Sequence, residues 1–305
     1  MTSQTPTFDE QAVTHERATV NGIGLHYVTA GPADGDLVVL LHGFPEFWYS
    51  WHNQLPSLAD AGYRVVAPDL RGYNRSEKPS NVGDYRVDEL VADVAGLIEH
   101  CGRERAHVVG HDWGGLIAWH VGSDRPDVVD RLAVLNAPHP TRYERLLRSS
   151  PTQIAKSWYV FYFQLPVLPE LGFRLNDYAA VESILGETVR PDAFTDEDVE
   201  RYKSALATPG ALTAAVNYYR ALGRQRARSM LTGGDEPDRS VDVPTLLLWG
   251  EQDFALDLEL TEGLDEWVSD IAIERIPDAS HWVQFDAPER VNEALVDFFT
   301  DYSNN

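Results

Sequence analysis

Residues 108–119 read VVGHDWGGLIAW. The apolar pair Val108 and Val109 ends a strand-like run, Gly110 to Gly115 form a tight turn, and an amphipathic segment to about Ser123 continues as a helix. The spacing is glycine, any residue, nucleophile position, any residue, glycine, the pattern of a strained strand-to-helix elbow. A serine is a common occupant of its tip; this chain has Asp112. Alone, an aspartate there can simply cap the helix that follows.

The surroundings read as alternating strands and helices. Ala18–Val20 and Leu25–Val28 flank Asn21-Gly22, a hairpin signal. Short apolar runs at Val38–Leu41, Tyr63–Ala67 and Leu132–Leu135 read as buried strands, with helices expected over 50–61 and Val87–Cys101. This alternation predicts a mostly parallel central sheet with helices on both faces. From about Ala137 to Val243 the rhythm becomes helical and aromatic-rich, with prolines at 166, 169, 191 and 209, and no buried strand is expected. The sheet pattern resumes at Pro244–Gly250, followed by a strand at Ile271–Ile276 and a helix at about Pro288–Thr300. The organisation is therefore a core of residues 1–136 and 244–305 carrying an inserted helical cap, 137–243, whose exit is the polar loop Gly233–Asp238.

Composition narrows the class. The chain has 305 residues, 43% of them hydrophobic, enough for one sizeable core. It has no apolar run of membrane-spanning length, and its polar start, MTSQTPTFDEQAVTHE, lacks a signal-peptide pattern, which points to the cytoplasm. The single Cys101 reads as a small packed hydrophobe. There are 48 acidic and 25 basic residues, for a formal charge of −23, and only Lys78, Lys156 and Lys203 among the basic residues are lysines. Such a surface repels nucleic acid and anionic membranes. The balance resembles that of halophilic proteins, where salt screens self-repulsion; an acidic mesophile protein with an arginine-biased composition is the alternative.

Two segments turn Asp112 from a helix cap into a candidate nucleophile. Asp253, in LWGEQDFAL, follows a strand; His281, in ASHWVQF, follows the last strand. All three lie past strand carboxyl ends, where open α/β sheets place ligands. Glu251 and Asp257 compete for the acid's role, and Asp253 is preferred because it lies in the loop; Asn136, after the preceding strand, is not an acid. In LHGFPEFWYSW (41–51), Gly43 and Pro45 shape a loop in which the backbone N–H groups of Phe44 and Trp113 form an oxyanion hole. His42 and His111 are read as loop-fixing residues. No histidine spacing suits a metal, and no cofactor is expected.

With these motifs in place, nearly the whole chain resembles an α/β-hydrolase of the epoxide hydrolase branch, on His42–Glu46, 68-PDLRGYNRSEKP-79, Gly110–Gly115, Asp253 and His281. The resemblance implies two cap tyrosines aimed at the epoxide oxygen. Its Tyr-Phe-Gln motif falls on Tyr162-Phe163-Gln164, and its Asn-aromatic-Tyr-Arg motif on Asn217–Arg220, giving Tyr162 and Tyr219. Tyr218 and Tyr219 point about 100° apart on a helix, so they do not serve the site equally. The pocket is expected to include Trp282 and Val283 and to take a small apolar or aromatic epoxide with water, the protein being a monomer or homodimer. A haloalkane dehalogenase using the same acids and histidine, with Trp113 holding the halide, is the rival enzyme. A hydrolase-like binding protein that has lost its chemistry is the rival from another class.

Overall fold

The computed structural model describes residues 10–232 and 239–300; residues 1–9, 233–238, where the cap's exit is expected, and 301–305 lie outside this description. The sheet strands are β1 (Thr14–Val20), β2 (Ile23–Ala30), β3 (Leu37–Leu41), β4 (Arg64–Pro68), β5 (Ala106–His111), β6 (Val129–Leu135), β7 (Thr245–Gly250) and β8 (Ile271–Ile276). They form one sheet in the order β1-β2-β4-β3-β5-β6-β7-β8. β1 and β2 pair as an antiparallel hairpin and β2 runs antiparallel to β4; every later pairing is parallel. The hairpin turns on Asn21 and Gly22, both at positive φ, as a two-residue turn requires.

Helices cover both faces: α1 (Gln54–Asp60), α2 (Val87–His100) and α3 (Trp113–Asp124), with α11 (Val283–Asp286) and α12 (Pro288–Thr300) closing the chain. Between β6 and β7 come α4 (Pro140–Ser149), α5 (Pro151–Lys156), α6 (Trp158–Tyr162), α7 (Leu168–Arg174), α8 (Ala179–Leu185), α9 (Asp196–Ala207) and α10 (Ala211–Thr232). The expected helix over 50–61 is in fact two pieces, a 3-10 turn at Trp48–Trp51 and α1. Pro56 explains the late start: with no N–H to give, it is tolerated in a first turn but not further in. The hairpin's first strand starts four residues before the expected Ala18, because its outer residues are exposed and carry no apolar alternation.

The central strands β3 and β5 are buried along their whole length, as parallel strands covered on both faces must be. Strand β5 delivers its chain directly into α3, and the two meet so closely that only glycine fits. A Cβ on Gly110 would run into the Gly114 carbonyl, and one on Gly114 into that of Leu41. The sheet thus sets where residue 112 emerges, at the carboxyl edge between the ends of β3 and β6.

Candidate active site

Asp112 occupies the elbow with φ 50° and ψ −116°, a strained region for a residue with a Cβ. The strain lifts its carboxylate above the strand ends, and 19% of the side chain stays exposed, so a small molecule can reach it. Its Oδ1 accepts the Phe44 N–H at 2.7 Å, and the Trp113 N–H also bonds the carboxylate. Both expected oxyanion donors are therefore aimed at one carboxylate. Gly43 permits this approach, since a Cβ there would come within 2.5 Å of Asp112 Cβ and Oδ1. The Phe44–Pro45 peptide between them is cis.

The other oxygen, Oδ2, faces His281, whose Nε2 is 3.8 Å away. The opposite ring nitrogen, Nδ1, is 2.7 Å from Asp253 Oδ2. Asp253 is saturated with donors: its Oδ1 accepts the N–H groups of Ala255 and Leu256, and its Oδ2 also accepts Asn136 Nδ2 at 2.8 Å. The structure brings Asp112, His281 and Asp253 into one line, with neither Glu251 nor Asp257 in contact with the histidine.

The electrostatics follow from burial and pairing. Burial raises the Asp112 carboxyl above the ordinary range, against the pull of His281, His111 and the two N–H groups. Burial also opposes charge on Asp253, but His281 and the hydrogen bonds outweigh it and hold the carboxyl low. For His281, burial favours the neutral ring, yet the charge and hydrogen bond of Asp253, with Asp112 and Glu46 behind them, raise it to about 9. At neutral pH the histidine keeps its proton, held between Asp253 and Asp112.

Glu46 is the hidden support. Buried, it accepts the Gly43 N–H at 2.6 Å and lies 2.9 Å from His111 Nδ1, and its other oxygen accepts Gln284 Nε2 at 3.2 Å. His111 Nε2 lies 2.9 Å from the His281 carbonyl. His42 bonds only backbone: Nδ1 to the Gly43 carbonyl and Nε2 to the Leu70 N–H.

The tyrosines divide differently from the motif-based expectation. Tyr219 is buried with its ring 4.9 Å from that of Trp113, and the Trp113 side chain donates a hydrogen bond to its hydroxyl. Its neighbour Tyr218 turns away to donate to the Arg71 carbonyl. Tyr162 does not face Asp112. The chain reverses after α6, and the Tyr162 hydroxyl donates to the Leu168 carbonyl at 3.1 Å, packed where Gly172 leaves room. The residue one turn earlier, Tyr159, stands in the site instead. Its ring packs edge-on against Tyr219 at 6.0 Å. Burial first, then Tyr143, Asp112 and Asp253, hold its phenol well above the usual tyrosine range. Burial, then Asp112, does the same for Tyr219, so both phenols remain donors.

Trp282 and Val283 have no accessible surface, so they back the wall without forming it; the Trp282 indole donates to the Ile184 carbonyl. Phe44 and the part-exposed Phe254, whose ring lies 5.6 Å from His281, are nearer the opening. Asn136, not an acid, nonetheless belongs to the site. It sits at φ 39°, gives its amide to Asp253 and the Gly250 carbonyl, and accepts the Gly250 N–H. Its place just past a strand was the available signal. Among the described residues no cluster of His, Cys, Asp or Glu is arranged to hold a metal, and no helix is long and apolar enough to cross a membrane.

An eight-stranded, mostly parallel sheet with an acid at its elbow defines a hydrolase of known architecture. The family model described as alpha/beta hydrolase fold matches residues 36–288, and the chain belongs to that family. Within it, the similarity is to epoxide hydrolases. The chain is 40% identical over 289 residues to epoxide hydrolase 3 of Xenopus tropicalis, covering 92% of this chain and 76% of that one. It is 45% identical over 278 residues to the AB hydrolase superfamily protein YfhM of Bacillus subtilis (strain 168), covering 91% and 95%. The crystal structure of a mutant epoxide hydrolase from Bacillus megaterium superposes with a TM-score of 0.85 at 31% identity, covering 93% of this chain and 99% of the other.

Proposed function

We propose that this protein adds water to an apolar or aromatic epoxide to give a vicinal diol, through an ester on Asp112. The observation that carries the reading is an Asp112 carboxylate that takes the Phe44 and Trp113 N–H groups while its Oδ2 stands 3.8 Å from His281 Nε2. A carboxylate needs no base to become a nucleophile, and it can open a strained ring by attack on saturated carbon. Tyr159 and Tyr219 donate hydrogen bonds to the departing oxygen, and a proton must replace them as it becomes an alcohol. His281 can supply it by way of the phenols and solvent. Esterification removes the negative charge of Asp112, one of the groups that keeps His281 protonated. The histidine thereby becomes a base after the first step and not before it. Neutral Nε2 then takes a proton from water, and the hydroxide attacks the Asp112 carboxyl carbon. The Phe44 and Trp113 N–H groups hold the oxyanion, and the diol leaves with Asp112 ionised and His281 again protonated.

The helices of 137–243 act as a cap on a core of 1–136 and 244–305, carrying the two phenols over the nucleophile. The protein works in the cytoplasm, as a monomer or homodimer, without a cofactor, and its acidic surface suits a high-salt interior. A dehalogenase reading loses its halide donor, because the Trp113 side chain is engaged on the Tyr219 hydroxyl. Incubating the His281→Gln variant with styrene oxide tests the proposal. An adduct of one substrate mass on the Asp112 peptide is expected, with diol formed by the wild type; neither adduct nor diol would sink both the chemistry and the enzyme reading, and halide release from a chloroalkane would favour the rival.

A further inference from the structure

Helices α6 and α7 have two unlike faces. Inward, Phe163 and Phe173 are buried against Phe44, with ring centroids 5.4 and 5.5 Å from it. Outward stand Trp158 and Phe161 of α6, Leu165 in the turn that follows, Leu168 and Leu171 of α7, and Leu175 just past its end. Exposure reaches 64% at Trp158, 65% at Phe161 and 66% at Leu175. The misread Tyr162 joins the two rows, its ring 6.0 Å from Trp158 and its hydroxyl on Leu168, so they form one surface. These six side chains expose on the order of 700 Å² of apolar area, above the roughly 300–600 Å² of an ordinary monomer's largest patch and near the roughly 800 Å² a partner contributes to a stable interface.

The charge around this surface says what covers it. In a chain of −23, residues 154–175 carry two cations, Lys156 and Arg174, and one anion, Glu170. Lys156 is bound to the carbonyls of Asp253 and Leu256, and Glu170 is paired with Arg220 at 2.7 Å. An anionic lipid surface is repelled by the rest of the molecule, whereas two copies meeting here bring together a stretch free of the excess acid that keeps them apart elsewhere. At its edge Arg174 and Asp177 offer opposite charges that a two-fold axis can set against each other. We infer that the outer face of α6 and α7 is a homodimer interface, occupied by the same face of a second copy of this chain.

The inference is independent of the chemistry proposed for Asp112, because none of the six residues touches that site. Sedimentation velocity in 1 M KCl tests it. The wild type is expected at twice the 34.2 kDa chain mass, and Phe161→Asp with Leu171→Asp at the single mass, with unchanged circular dichroism and catalytic constants. The uncharged pair Leu165→Ser with Leu168→Ser is expected to dissociate in the same way, separating loss of the interface from charge repulsion. A monomeric wild type, or a dimer that survives both pairs of substitutions, overturns the inference. A monomeric wild type that also floats with phosphatidylcholine vesicles overturns it in favour of a lipid surface.

Discussion

His281 faces two carboxylates with its two ring nitrogens, Nδ1 at 2.7 Å from Asp253 and Nε2 at 3.8 Å from Asp112. The short contact fixes the ring; the long one leaves room for movement and for water. This asymmetry makes the histidine's protonation depend on whether Asp112 is a free carboxylate or an ester.

The pH dependence follows with a definite sign. Ring opening needs Asp112 ionised, and burial raises its pKa, so kcat/KM falls with acid above the ordinary carboxylate range. In the free protein His281 keeps its proton up to about 9, so the alkaline limb of kcat/KM lies near that value. Ester hydrolysis needs the neutral ring, and its rate in single-turnover stopped flow should rise with pH through a value below 9. A hydrolysis step that rises only at or above that value would contradict the charge coupling.

Tyr159 and Tyr162 are separated by one substitution each. Tyr159→Phe removes a donor to the developing alkoxide and should lower kcat/KM by about 10²-fold, the scale of one lost transition-state donor. Tyr162→Phe removes a hydrogen bond to the Leu168 carbonyl and should change kcat/KM by less than about 3-fold, under 1 kcal/mol of barrier. Steady-state kinetics on styrene oxide decide, and the reverse ranking would restore the motif-based assignment.

Asn136→Ala strips the Gly250 N–H of its side-chain acceptor and Asp253 of a donor, all of them buried. Unsatisfied buried groups cost about 1–3 kcal/mol each, so urea denaturation should show a loss on that scale. Turnover should fall as well, because Asp253 orients His281. Unchanged stability would mean that the site relaxes or admits water.

Salt should stabilise the fold. With 48 acidic and 25 basic residues, self-repulsion is strongest when unscreened, and the thermal midpoint should climb between low and molar KCl. A flat response would leave arginine-biased composition as the account of the acidity.

Most of the core and the line of Asp112, His281 and Asp253 were legible because each lies at a fixed offset from a strand end, and strands declare themselves as short apolar runs. The tyrosines were less legible. Tyr159 and Tyr162 are three residues apart on one short helix, and the hydroxyl's direction depends on where the chain reverses after Phe163, a tertiary event with no local signature. Asn136 cannot serve as the acid, but its amide suits it to hold one. Trp282 is expected in the pocket wall, but its indole, bonded to the Ile184 carbonyl and fully buried, packs behind it. The role of Glu46 has no local signal, because its partners at 111 and 284 are far away in sequence.

That single carboxylate also divides the molecule for anyone who would redesign it. Glu46 ties the loop at Gly43, the strand end at His111 and the helix start at Gln284 to one point, so these parts cannot be retuned separately. The inward side chains Phe163, Phe173 and Tyr219, packed on Phe44, have none of these bonds to Glu46. A library confined to those inward side chains should change the accepted epoxide, whereas a change at Glu46 should disturb every substrate alike.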